Sequence, residues 1–433
     1  MIAHPHIKLS RVIMGLSSAL DLVNQFVVNH HRQVTGFAGK IADEMGLPDS
    51  EMSDLAIASA LHDIGAVSFN ERFEMTFNAT GLQKHAELGY LLLKDFTPFR
   101  QAARMIRCHH IPWDHGNGSE YKGKPVPLGG HIIHLADRAA VLLDNRNHVL
   151  TQVDGVRDAI ACEKGNMFHP DVVDAFMRVS AREFFWLDSM YMEDGILDIK
   201  SGGVAWNEEL DLGMLLKFSE MFRKIIDFRS THTATHSKSV AAVSEELARM
   251  TGFSEYECRM IRTAGNLHDL GKLAVPVEVL DKPGPLDKQE RDIMKCHVYH
   301  THRVLSTISG MDPVMEAVNA WASFHHECLD GTGYPFHHVG DVIPLGSRIL
   351  AVADVFSALM QDRPYRPAMP RGDAHDLMSR MSSDGKLDRH LVGLVEREYD
   401  RLYSTCRKAE ASAHREFDDV RAEAAGTRAA GAA

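Results

Sequence analysis

One ordered set of histidines and aspartates occurs twice in this chain, once in each half. The first set is His31, His62-Asp63, His85, His109-His110 and Asp137; the second is His236, His268-Asp269, His297, His325-His326 and Asp354. The offsets 236−31=205, 268−62=206, 297−85=212, 325−109=216 and 354−137=217 grow slowly, as short loop insertions in the later copy would make them. The surrounding text repeats as well. Residues 60–65 read ALHDIG against NLHDLG at 266–271, and Pro127-Leu128-Gly129 before Leu135-Ala136-Asp137 matches Pro344-Leu345-Gly346 before Val352-Ala353-Asp354. Related phrases at 165–170 and 385–390 carry the repeat beyond the last aspartate. A repeat of domain length is a duplicated domain rather than a solenoid unit, so two similar folds are expected in one chain.

Apolar spacing gives the class of those folds. Leu9, Val12, Ile13, Leu16, Leu20, Val23 and Val27 recur at three- and four-residue steps and predict an amphipathic helix leading into His31. Leu212, Leu215, Leu216, Phe222, Ile225 and Ile226 predict its counterpart, leading to His232 and His236. Segments 37–47, 51–63, 85–94, 99–109 and 130–144 also read as helices, and strand signals are few. The expected class is all-α. Gly195, Gly202 and Gly203 break the periodicity and put a linker near 200–208. The expected division is an N-terminal domain over 1–205, a C-terminal domain over 206–403 and a tail over 404–433. The Ala, Arg and Glu content of that tail predicts a solvated helix fraying into a flexible end.

Composition narrows the partners. With 433 residues, 45% hydrophobic and 24% charged, the chain has room for two or three cores. A formal charge of −12 argues against broad adhesion to DNA or anionic membranes and leaves room only for a local basic pocket. No apolar run is long enough for a membrane span and the first residues do not read as a signal peptide, so a cytosolic protein is expected. The cysteines at 108, 162, 258, 296, 328 and 406 form no CxxC pair, which argues against a disulfide framework or a thiolate zinc site. They read as small packed hydrophobes, with redox sensing beside a metal as the alternative for Cys108, Cys296 and Cys328.

Mixed histidine and aspartate sets suit Fe, Mn or Zn better than Mg or Ca. A single histidine in a helical protein is more often structural than a ligand. Seven in a repeated order read differently, and His236, His268, Asp269, His297, His325, His326 and Asp354 are enough donors for two ions, since an aspartate can bridge.

Only the second copy continues into Gly333-Tyr334-Pro335. The run of residues 325–335, then Pro344-Leu345-Gly346-Ser347-Arg348, Ala353-Asp354 and Arg363-Pro364-Tyr365-Arg366, with the HDLGK of residues 268–272 upstream, resembles the HD-GYP family over roughly residues 210–395. The resemblance implies tandem all-helical HD-domain bundles and a metal-dependent phosphodiesterase. Such an enzyme hydrolyses a bacterial cyclic dinucleotide, cyclic di-GMP or 3'3'-cyclic GMP-AMP, to a linear dinucleotide or mononucleotides by metal-activated water. It implies two divalent metals, iron or manganese, on the seven residues above. Lys272 and Asp269 take catalytic roles, and Tyr334, Arg363 and Arg366 contact substrate. Some family members serve a third metal from a glutamate one helical turn before the first histidine. Here that position is His232, so a third metal through His232 is the open alternative.

The first copy keeps a ligand-like set and loses the substrate features. Ala66 stands where Lys272 stands, and no Gly-Tyr-Pro follows His109-His110. His31, His62, Asp63, His85, His109, His110 and Asp137 form a candidate second metal site. The half that carries them is expected to be regulatory or structural, in a dimer or signalling contact, with a separate nucleotide hydrolase or a metal-free relic as alternatives. A non-catalytic cyclic-dinucleotide receptor and a general HD nucleotidase are the competing readings of the whole chain.

Overall fold

The computed structural model describes residues 5–21, 29–66, 79–144, 146–191, 209–229, 235–362 and 367–424. His232, Arg363 and Arg366 lie outside the described residues, as do Val23, Val27 and the expected linker. The chain divides into two compact units, residues 8–208 and residues 209–433 joined by residues 1–7. The described residues are predominantly helical, with strands of two residues only. This is the all-α class expected from the apolar spacing.

In the N-terminal unit, α1 (Leu9–Asp21), α2 (His30–Met45) and α3 (Asp49–Ala60) are followed by α4 (Ala79–Leu93), α5 (Arg100–Cys108) and α6 (Leu128–Val141). Then come α7 (Val153–Cys162), α8 (Pro170–Val179) and α9 (Glu183–Tyr191). Helix α2 runs through the middle, packed on α3, α6 and α8. Phe37 on its buried face stacks on Phe185 and meets Trp186 edge-on. Between α5 and α6 the chain makes a small antiparallel hairpin, with Glu120 opposite Pro125 and Tyr121 opposite Lys124.

The C-terminal unit repeats this plan. Helices α10 (Leu212–Arg229), α11 (His236–Met250), α12 (Glu255–Leu267), α13 (Val277–Leu280), α14 (Lys288–Ser309), α15 (Pro313–Ser323) and α16 (Leu345–Met360) precede α17 (Arg371–Ser383), α18 (Arg389–Arg397) and α19 (Tyr399–Ala424). Helix α11 takes the central place of α2, against α12, α16 and α19. Three helices that bear or lead into repeated histidines have capped starts. Ser254 with Glu257 and Asp287 with Glu290 form reciprocal capping boxes on α12 and α14, and Asp312 caps α15 ahead of Pro313.

Two expectations are corrected. Residues 404–424 are not a solvated tail: within α19, Leu402, Cys406, Ala409, Glu410 and Ala413 are buried. Glu416 pairs with the buried Arg223 at 2.6 Å and Lys238 at 2.5 Å, while Phe417 meets Phe228. Cys406, Ala409 and Ala413 of this stripe are small, bury little area each and read as bland composition. The first seven residues also fall outside the N-terminal unit: His6 donates its backbone N–H to Asp312 at 2.8 Å, and Ile7 is buried.

Candidate metal centre and substrate loop

Helix ends bring the second set together. His236 opens α11, His268 caps α12, His325 follows α15, and Asp354 lies inside α16. Three donor groups converge there: His236, His268 and Asp354; His268, Asp269 and His325; and His297, His325 and His326, with candidate ligand atoms within 4.8 Å of one another in each. His268 is common to the first two and His325 to the last two, so the groups form one continuous centre. His236 Nε2 lies 2.9 Å from Asp354 Oδ1, and its Nδ1 is 3.1 Å from Gln361 Oε1.

A backbone device aims the rings. The Nδ1 of His268, His297 and His325 each hydrogen-bonds the carbonyl three residues back, on Gly265, Met294 and Ala322, at 2.7, 2.6 and 2.6 Å. With the proton fixed on Nδ1, Nε2 is left as a lone-pair donor facing the centre. Among the described residues, the buried Nε2 atoms of His297 and His325 have no hydrogen-bond partner. Buried imidazole nitrogens are rarely left unpaired, and here they face carboxylates that are also short of protons.

The electrostatics agree. Burial pushes His297, His325 and His326 down to about 3, so they are neutral at pH 7. For Asp269 burial acts upward, but His268 and Lys272 outweigh it and hold the carboxyl well below the usual range; His236 does the same for Asp354. Burial lowers His268, yet the charge of Asp269 prevails and raises it. Neutral imidazoles and ionised carboxylates are the ligating forms; His297, His325, His326, Asp269 and Asp354 already hold them, and a divalent cation beside Asp269 would take the place of the proton on His268, so the donor set fits such cations.

Glycine explains the spacing after the doublet. A Cβ on Gly271 would sit 1.9 Å from the His297 carbonyl oxygen, and one on Gly65 would sit 2.1 Å from that of His85. Only a bare backbone lets the turn after each doublet close on the helix that carries the next histidine. Lys272 Nζ reaches Asp269 Oδ2 at 2.6 Å, whereas the corresponding Ala66 is a buried apolar residue. Tyr334 stacks on His326 with ring centroids 4.9 Å apart, and Lys295 Nζ lies 5.6 Å from the Tyr334 ring centroid. The loop is held by Glu327, which accepts from the backbone of Phe336 and His338 at 2.7 and 2.9 Å. A Cβ on Gly333 would meet Cys328 N at 2.3 Å. Glu327, Lys295 and Gln361 escaped the sequence reading, because none belongs to the repeated set.

The first set also assembles, with one substitution. His30, not His31, faces Asp137, with Nε2 3.2 Å from Oδ1. His31 is buried and its Nδ1 bonds the Asp21 carboxylate, which removes it from the centre. His30, His62 and Asp137 form one donor group and Asp63, His85, His109 and His110 another. The Nε2 of His62 has no hydrogen-bond partner among the described residues. Burial lowers His62 while Asp63 and Asp137 raise it more, to about 9. Burial pushes the Cys108 thiol up to about 11, the behaviour of a packed hydrophobe rather than a reactive thiolate.

Comparisons with known proteins match both units. The family described as HD domain matches residues 220–391 and again residues 27–142. The 3'3'-cGAMP-specific phosphodiesterase 1 of Vibrio cholerae is 28% identical over 410 residues, covering 92% of this chain and 93% of the relative. The cyclic di-GMP phosphodiesterase response regulator RpfG of Xanthomonas campestris is 41% identical over 145 residues, 34% of this chain and 38% of that protein. The crystal structure of a cyclic GMP-AMP-specific phosphodiesterase of V. cholerae, V-cGAP3, superposes with a TM-score of 0.62 at 23% identity, covering 94% of this chain and 98% of that one. That likeness establishes the fold. Among the described residues no helix is long and apolar enough to cross a membrane.

Proposed function

The chain is a tandem HD-domain protein with one HD domain in each unit, and on that premise we propose that its C-terminal unit hydrolyses a bacterial cyclic dinucleotide. The observation that carries the reading is the buried donor set with inward Nε2 atoms, joined by Lys272 on Asp269 and the Tyr334 loop over His326. A relative that matches along both units is named for 3'3'-cyclic GMP-AMP, while RpfG, named for cyclic di-GMP, matches over about a third of the chain. This favours the hybrid dinucleotide as the substrate.

His236, His268, Asp269, His297, His325, His326 and Asp354 would hold two divalent ions, and their nitrogen and carboxylate donors suit Fe or Mn. When bound, such ions supply a nucleophilic water at neutral pH and neutralise charge on the phosphate. The chain's own residues do the rest. Lys272 offers an ammonium beside the centre where negative charge grows on the scissile phosphodiester. Tyr334 places an aromatic face at the mouth, and Lys295 adds a cation beside it. Arg363 and Arg366 are proposed phosphate or guanine-edge contacts through their forked donors. Water adds across one P–O3' bond, and the ribose hydroxyl leaves with a proton.

The N-terminal unit reads as a metal-binding regulatory domain. It has two donor groups and an inward Nε2, but Ala66 gives no ammonium and no Gly-Tyr-Pro loop follows His110. The test is anaerobic turnover of both cyclic dinucleotides, with Mn or Fe added, by the parent protein, a His268→Ala/Asp269→Ala variant and a His62→Ala/Asp63→Ala variant. Loss of turnover confined to the first variant supports the reading. No turnover by metal-loaded parent protein defeats it.

A further inference from the structure

A charged groove on the N-terminal unit has no part in the chemistry above. Its walls are Tyr90 on α4, Lys94 and Asp95 just after that helix, Arg100 and Arg104 one turn apart on α5, and Lys124 on the hairpin, around an open space of about 620 Å³. Four cations thus face one carboxylate in a protein whose formal charge is −12. Two neighbouring cations are already neutralised: Arg107 and Lys122 pair with Glu87 at 2.6 and 3.2 Å. Among the described residues, Arg100, Arg104 and Lys124 form no ion pair; Arg104 makes one hydrogen bond, to Gln101 at 3.3 Å.

The duplication supplies an internal control. The offset at His85 is 212, so Lys94 corresponds to 94+212, Ser306. At His109 it is 216, so Arg100 and Arg104 correspond to Glu316 and Ala320. At Pro127 it is 217, so Lys124 corresponds to Asp341. The same place on the sister domain is therefore neutral or acidic. Helix packing and fold maintenance are common to both copies, so they do not require these four cations. What one copy has and the other lacks is a concentration of forked and ammonium donors around a concave surface, the arrangement that recognises phosphate groups.

We propose that this groove binds a small phosphate-bearing molecule of nucleotide size, separate from the metal centres. Its volume lies in the range of small-molecule sites. The site shares helix α5 with the cluster of the same unit, since His109 and His110 follow directly after Cys108.

The proposal is tested by calorimetric titration of the metal-loaded full chain with inorganic tripolyphosphate, GTP and a short single-stranded RNA. The expected result is a saturable tripolyphosphate and GTP site that weakens with added salt and loses at least about tenfold in affinity in Arg100→Glu/Arg104→Glu. Phosphate bound at the metal centres persists in that variant, so the component that disappears belongs to the groove. Lys124→Glu, on an exposed hairpin residue, gives an independent reading should the double variant fold poorly. Equal binding by parent and variants, or no component beyond that of the metal centres, overturns the proposal. So does RNA binding that depends on these residues while tripolyphosphate and GTP do not bind. The outcome is independent of whether the C-terminal unit turns over a cyclic dinucleotide.

Discussion

Lys272 Nζ donates to Asp269 Oδ2 at 2.6 Å, placing an ammonium four residues beyond the histidine of the doublet and directly on its aspartate. The equivalent side chain in the sister domain is a methyl group, Ala66. The two domains share a donor geometry and part company at this pair. Lys272→Ala is expected to lower kcat by roughly 10²–10³ while leaving KM within a few-fold, the scale for losing one preorganised donor. Steady-state kinetics with metal analysis on the same sample checks it. A fall in metal content that accounts for all the lost rate would assign Lys272 to holding Asp269 instead.

Gln361 holds the far nitrogen of His236, with Nδ1 and Oε1 3.1 Å apart, and its Nε2 donates to Ser239 Oγ at 3.3 Å. Removing a partner of this kind typically costs 10- to 100-fold in metal affinity. Gln361→Ala should show that loss in a chelator competition, with the melting temperature of the metal-stripped protein little changed. Unchanged competition would mean that α11 alone orients the ring.

A methyl at Gly271 would clash with backbone, which cannot rotate away. Gly271→Ala should destabilise the C-terminal unit by about 1–3 kcal/mol and reduce its metal content. Gly65→Ala should do the same to the N-terminal unit and spare turnover. Thermal melts paired with metal analysis separate the two; a Gly271→Ala protein with parental stability and loading would show that α14 can shift freely.

Acid should unfold the metal-stripped C-terminal unit early. His297, His325 and His326 titrate near 6.5 in an unfolded chain and at about 3 in the fold, so between these values the unfolded state takes up protons that the folded state refuses. Their contribution is fully present above pH 6.5 and is lost progressively as pH falls towards 3. Denaturant midpoints of chelator-treated protein should therefore drop between pH 7.5 and about 5, and added Mn should offset the drop. A flat midpoint over that interval would contradict the burial of these rings.

Much of the centre was readable because the duplication gives two copies of each ligand position to compare. The exception is instructive. His30 and His31 are adjacent, and the amphipathic stripe taken alone leads to the second. Yet 236−30 is 206, equal to the offset of the doublet, so constant spacing already favoured His30. The helix begins at His30 just as α11 begins at His236, which rotates the next residue towards Asp21. Glu327 and Gln361 left no such trace, since a carboxylate that ties down a loop and an amide that steadies a ring follow no period. The buried stripe of α19 was hidden for another reason: Cys406, Ala409 and Ala413 contribute contact through fit rather than through bulk.

The C-terminal domain is discontinuous along the chain, and the seating of His6 on Asp312 joins its two pieces through residues 306 positions apart. During synthesis this segment leaves the ribosome with no partner and waits until Asp312 has been made, on the order of 15–60 s at usual elongation rates. Loss of His6 or of helix α19 would thus remove contacts from the same domain, the one that carries the lysine.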